Sequence, residues 1–188
     1  MKKNLLIAVL MTIATTILLG ILYPILVTFL AQALFHDKAN GQLINKDGEL
    51  IGSRIIGQPF VSDKYFHSRP SAAGNGYDAA NSSGSNLGPT NQKLLDRIKD
   101  AVATAQADNP NAPVPVDLVT TSGSGLDPDI SPASALFQIP RIARVRGISQ
   151  DQVRTLVQNH IQQRQFGILG ESRINVLELN LALDEISK

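Results

Sequence analysis

The sequence predicts an α+β protein with one N-terminal transmembrane helix. A single extracytoplasmic domain follows, with a small hairpin-based sheet and three to four helices. Three observations carry that prediction. No charged residue lies between Asn4 and Phe35, directly after Lys2 and Lys3. An Asp47-Gly48 pair stands between two apolar flanks, the pattern of a tight hairpin. Beyond residue 90, apolar residues recur at helical spacing in separate stretches opened or closed by capping residues, Gly or Pro.

The uncharged run comes first. Leu5 to Leu34 would make a helix about 45 Å long at about 1.5 Å per residue, more than the roughly 30 Å of a bilayer's hydrocarbon core. Thr12, Thr15, Thr16 and Thr28 are tolerable there because a hydroxyl can bond back to a helix carbonyl. Gly20 and Pro24 mark a kink or a close approach to a neighbouring helix, and both are candidate partner contacts. Ala31-Gln32-Ala33 has the form of a signal cleavage site, but the apolar run is about twice the 7–15 residues of a signal core. Residues 1–35 therefore read as a retained anchor and 36–188 as the domain. Lys2 and Lys3 favour a cytoplasmic N-terminus, because His36, Asp37 and Lys38 on the far side carry little net charge. The chain is thus expected in the inner membrane as a single-pass protein, with its main domain periplasmic and lipid around its helix.

All 16 acidic residues and 15 of the 17 basic ones follow the anchor, so the domain's formal charge is −1. That balance gives no electrostatic footprint for nucleic acid. With no cysteine there is neither a disulfide framework nor thiol chemistry.

Along the domain, Gly41 to Gly52 reads as a β-hairpin turning at Asp47-Gly48. Arg69 is held extended by Pro70. Ser71 to Asn91, rich in Gly, Asn and Ser, reads as a long loop. A helix starts near Thr90, with Leu94, Leu95, Ile98, Ala101, Val102 and Ala105 on one face. Val114 to Val119 is a candidate extended segment, and Ser122 to Ile130 a second irregular loop. Ser131-Pro132 opens a helix that Pro140 interrupts and Gly147 closes. Ser149-Gln150-Asp151-Gln152 is a capping box for the next helix. Asn175 to Ile186 alternates like a strand, yet Val176, Leu179, Leu183 and Ile186 fit a helix capped by Asn175, the preferred reading.

Catalytic chemistry is hard to assemble from these residues. His36, His67 and His160 share no metal-ligand spacing, and no Ser sits in a Gly-x-Ser-x-Gly elbow. Ser122-Gly123-Ser124-Gly125 is a weak nucleotide-loop candidate, since a phosphate loop needs a Gly-Lys opening a helix. Asp127 and Asp129 read as loop caps for the following helix rather than a cation site. Arg141, Arg144 and Arg146 read as a solvated basic face. No catalytic or metal residue is assigned. Arg69, Asn86 and Asp127 join Gly20 and Pro24 as partner-contact candidates.

Longer stretches carry a specific resemblance. Tyr23-Pro24, Gly52-Ser53 through Gln58, Tyr65-Phe66-His67-Ser68-Arg69-Pro70-Ser71-Ala72 and Gly84-Ser85-Asn86-Leu87 do so in the first half. Val114 to Thr120, Ser124-Gly125-Leu126-Asp127, Ile130-Ser131-Pro132, Gln138 to Ala143 and Asn175 to Asp184 do so in the second. Together they resemble the C-subunit family of the bacterial Kdp-type potassium-transporting ATPases, over nearly the whole chain. The resemblance implies a non-catalytic accessory subunit of an ATP-driven potassium uptake complex, needed for its assembly and stabilisation. Its partners would be a potassium-channel-like subunit and a P-type ATPase subunit, with no cofactor of its own. The family is also described as a catalytic chaperone that raises the ATPase subunit's affinity for ATP, which implies ATP bound only jointly with that subunit. An outward domain fits this poorly, because ATP is cytoplasmic. Two alternatives stand beside it: an anchored extracytoplasmic hydrolase, and a cytoplasmic nucleotide-binding regulator with inverted topology.

Overall fold

The computed structural model describes residues 1–186, so the last two positions of the expected domain, Ser187 and Lys188, lie outside the described residues. The chain divides into two compact units, the first ending at Leu43 and the second beginning at Ile44.

The first unit is one continuous helix, Lys2–Leu34, long and apolar enough to cross a membrane and with no buried residue. It comprises α1 (Lys2–Thr15), a wider π-helical stretch (Thr16–Leu22) and α2 (Tyr23–Leu34). The wide stretch has a local cause. Pro24 lacks the N–H that would bond the Gly20 carbonyl, and its ring crowds that carbonyl. The backbone answers one residue earlier, where the Tyr23 N–H donates to Leu18 five residues back, a π-type bond. Two of the four threonines behave as expected: Thr12 Oγ1 donates to the Ala8 carbonyl at 2.9 Å and Thr15 Oγ1 to Met11 at 2.8 Å. After Phe35 a single turn, α3 (His36–Ala39), folds back on the helix end. Gln32 and Asn40 exchange amide hydrogen bonds of 3.1 Å there, which ties the turn to the long helix.

The second unit is α+β. β1 (Leu43–Lys46) and β2 (Glu49–Ser53) form the expected hairpin, with Asp47 at φ 54° and Gly48 at φ 85°, as a two-residue primed turn requires. Residues 54–91 are irregular. α4 (Gln92–Asp108) follows, its first turn capped by the Asn91 side chain, which accepts from the Lys93 N–H at 2.9 Å. None of its residues is fully buried, so its apolar stripe lies only part-covered. Residues 116–118 form a single 3₁₀ turn and not the extended segment that the valines suggested, with Pro115 fixing the entry at φ −65°.

Three helices enclose the core. α5 (Pro132–Arg146) runs through Pro140 without interruption, contrary to the sequence reading. Ile139 and Ile142, both fully buried, hold the helix across the proline, while the carbonyl it leaves unbonded belongs to Leu136, the exposed residue of its turn. Gly147, at φ 67°, closes the helix as expected. α6 (Gln150–Asn159) begins with the complete Ser149–Gln152 capping box. α7 (Val176–Ile186) settles the ambiguous terminus as a helix, with Asn175 Oδ1 accepting from the Glu178 N–H at 3.1 Å. Residues just before it form β4 (Ile174–Asn175), antiparallel to β3 (Asp129–Ile130). This second sheet has two residues per strand, too short for any periodicity to announce it.

Phe66, Ile130, Ile139, Ile142, Val153, Val157, Ile174, Leu179 and Leu183 pack into one core. Each such side chain contributes about 1.5–3 kcal/mol on burial.

Candidate functional site

Phe66 enters that core on a chain segment with no sheet of its own, so its peptide groups need other partners. Two carboxamides supply them. Asn180 of α7 accepts from the Phe66 N–H at 2.8 Å and donates to the Phe66 carbonyl at 3.0 Å. Gln138 of α5 does the same for His67, at 2.7 and 3.1 Å. The Arg141 guanidinium, 2% exposed, donates to the Tyr65 carbonyl at 3.0 Å, to the Asp63 carbonyl and to Gln138 Oε1 at 2.7 Å. Its Nε lies 3.2 Å from Asp108 Oδ2, an ion pair without hydrogen-bond alignment. Arg146 donates to the Lys64 carbonyl, pairs with Asp184 at 2.8 Å and lies over the Tyr65 ring. The arginines expected on a solvated face thus divide: Arg141 and Arg146 turn inward to hold residues 63–65, and of the three only Arg144 is exposed. Burial pushes the His67 imidazole below its usual range, and the positive Arg141 adds to that effect.

Held in this way, residues 65–69 deliver Arg69 to Asp127, 3.0 Å away, and to the Thr121 carbonyl at 3.4 Å. Tyr77 donates to the Arg69 carbonyl, and burial pushes its phenol above the usual range. The two polar loops are clasped together here. Ser71 Oγ donates to the Gly125 carbonyl at 2.6 Å, Ser82 Oγ to the Ser124 carbonyl at 3.0 Å and the Ser83 N–H to Ser124 at 2.9 Å. Gly125 sits at φ 68°, where a Cβ would lie 2.5 Å from the Ser83 carbonyl oxygen.

Beside the clasp lies a cavity of about 470 Å³ whose lining includes Arg69, Val116, Asp117, Asp127, Asp129 and Arg173. Its charges are largely matched. Asp129 pairs with Arg173 at 2.9 Å, although burial still raises its carboxyl above the usual range. Asp117 caps α5: it accepts from the Ser131 N–H at 2.8 Å, from the Ser131 hydroxyl at 3.0 Å and from the Ser134 hydroxyl. That duty had been assigned to Asp127 and Asp129. Asp127 instead closes a local turn by accepting from the Asp129 N–H at 3.0 Å, and its other oxygen faces Arg69.

Among the candidates read from sequence, Arg69 and Asp127 therefore meet each other, and Ser122 to Gly125 form one side of the clasp. Two N–H groups that a phosphate cradle would present are engaged: Gly125 donates to Ser122 Oγ at 2.9 Å and Leu126 to Ser124 Oγ at 3.1 Å. Asn86 is exposed at φ 51°. Gly20 and Pro24 are exposed on the long helix, at and just after its π-helical stretch. No group of three or more His, Asp or Glu among the described residues could hold a metal ion. Gln138, Asn180 and Asp117 were not singled out, and Arg141 was read only as part of a solvated face. For Gln138, Asn180 and Arg141 the available signal was a polar residue inside an apolar helical stripe, because a buried amide or guanidinium must be satisfied.

Comparison with known proteins matches residues 5–185 to the family model described as KdpC, the c chain of K⁺-transporting ATPase. The chain is 63% identical over 184 residues to the potassium-transporting ATPase KdpC subunit of Koribacter versatilis strain Ellin345, covering 98% of this chain and 95% of that one. It is similar to the subunits of the same name from Rhodopseudomonas palustris strain BisB18 (54% over 196 residues, 98% of each chain) and Methylobacterium nodulans (53% over 187 residues, 93% of each).

Proposed function

This chain belongs to the KdpC family of K⁺-transporting ATPase c chains, and from that premise we propose that it is a membrane-anchored, non-catalytic subunit that assembles and stabilises the pump. It bridges a potassium-channel-like subunit and a P-type ATPase subunit, in the inner membrane, with its domain on the outer side. The observation that carries the reading is how the polar loops use their functional groups. Arg69, Asp117, Asp127, Ser71, Ser122 and Ser124 are all engaged in ion pairs, caps and clasp bonds within the domain. Loops fixed this way suit a rigid docking scaffold. The engaged N–H groups of Gly125 and Leu126 favour assembly over direct nucleotide contact, and any ATP would be held jointly with the ATPase subunit.

The unburied helix Lys2–Leu34 is the natural membrane-level contact, with its widened turn around Gly20 and Pro24 facing a partner helix. Co-purification of the pump's other chains with the full-length subunit tests this. Replacing residues 4–35 with an unrelated transmembrane helix should sharply reduce their recovery. Undiminished recovery would make the helix a tether only, and failure of the natural chain to co-purify would overturn the reading.

A further inference from the structure

Between α6 and β4 the chain leaves the core as an arm. The backbones of Gln162 and Arg173 exchange hydrogen bonds of 2.9 and 3.0 Å, and those of Gln165 and Leu169 exchange two of 2.9 Å. Arg164 pairs with Glu171 across the arm at 2.8 Å. At the tip, Phe166, Ile168 and Leu169 are 83%, 76% and 54% exposed. Phe166 stands at φ 54° and Gly167 at φ 78°. A bulky aromatic residue in the left-handed region is an outlier that its surroundings must hold in place. The arm therefore presents a fixed shape: three large apolar side chains on a braced turn.

We propose that Phe166, Ile168 and Leu169 form an anchor that enters an uncharged apolar pocket on another chain of the transport complex. The proposal rests on the subunit reading above. Area argues against a second copy of this chain held by the tip alone. At roughly 200 Å² per large side chain, the tip exposes roughly 400 Å², about half of the roughly 800 Å² that one partner gives to a self-sufficient interface. Such a patch serves as a hot spot within a larger contact held elsewhere, which a subunit with its own membrane helix has. Charge argues for a protein pocket over a lipid surface. Loops that seat on lipid surround their apolar tip with cations aimed at headgroups, whereas Arg164 pairs with Glu171 and Arg173 with Asp129.

The test places the photo-crosslinker p-benzoylphenylalanine at position 166 of the full-length chain, co-produced with the other chains of its pump in their own membrane. The expected result is an adduct with one of those chains. Adducts to lipid, adducts to a second copy, or no adduct would each overturn the proposal. In parallel, the double substitution Phe166→Ser and Ile168→Ser should cut co-purification about tenfold or more, as truncation of anchor residues does, with the thermal midpoint of the subunit unchanged. Undiminished recovery overturns the anchor but leaves the subunit reading standing. If the natural chain itself fails to co-purify, both fall.

Discussion

Asn180 and Gln138 do for residues 66 and 67 what a neighbouring strand would do, and they make His67 a half-buried, positionally fixed group. That position has a pH consequence. The folded-state pKa of His67 lies below the ordinary 6.5, through burial first and Arg141 second. In the window below about 6.5 the unfolded chain takes up a proton that the folded chain refuses. Stability therefore falls as pH drops through that window, and it recovers fully above 6.5. His67→Gln keeps a donor for the Ser62 carbonyl, which His67 Nε2 approaches at 3.1 Å, and removes the titration. Chemical denaturation at a series of pH values should show the natural chain losing stability relative to the variant as pH falls below about 6.5. Parallel curves would disprove the assignment. Residues of this kind were the least legible in the sequence. A glutamine beside Phe137 or an asparagine between Leu179 and Leu181 looks like ordinary variation until the peptide it bonds is placed, more than 70 residues away in each case.

The helices were legible because most are declared by local residues: Ser131, Ser149 and Asn175 all cap as read, and the helix expected near Thr90 starts at Gln92 behind an Asn91 cap. What escaped was non-local. β3 and β4 are joined across more than 40 residues, and Pro140 breaks no helix because the core on both sides of it outweighs one lost hydrogen bond. The clasp is the same kind of feature. The Ser71–Asn91 and Ser122–Ile130 stretches each read as loose loops, yet Gly125 brings them within hydrogen-bond reach of each other. A Cβ at residue 125 would meet the Ser83 oxygen at 2.5 Å and the Ala73 nitrogen at 2.7 Å, at a φ that L-residues avoid. Gly125→Ala should destabilise the domain by about 2 kcal/mol or more. Hydrogen exchange should show the loss of protection concentrated at the Ser83 N–H, which bonds the Ser124 carbonyl. Protection unchanged at that amide would mean that the loops are fixed by something else.

For the whole molecule, orientation decides which reactions this subunit can touch, and the charges that set it lie at the very start of the chain. Only Lys and Arg close to a spanning helix bias its insertion, and acidic residues contribute little. Lys2 and Lys3 precede the helix, while Lys38 is the sole Lys or Arg within the ten residues after Leu34. The 16 acidic residues beyond do not enter the rule, whatever the domain's net charge. The expected topology is N-terminus inside and domain outside, which keeps the clasp and the Phe166 arm away from cytoplasmic ATP. A C-terminal reporter active only in the cytoplasm should stay silent, and one active only outside it should work. Changing Lys2 and Lys3 to Gln and adding three lysines after Phe35 should reverse both signals, because the same rule then favours the opposite insertion. A cytoplasmic reporter that works on the natural chain would overturn the outward assignment and return direct ATP contact to the Ser122–Gly125 loop. Silence there, with reversal in the altered chain, would confine any effect on ATP to coupling through the other subunits, because no residue of this domain could reach the nucleotide.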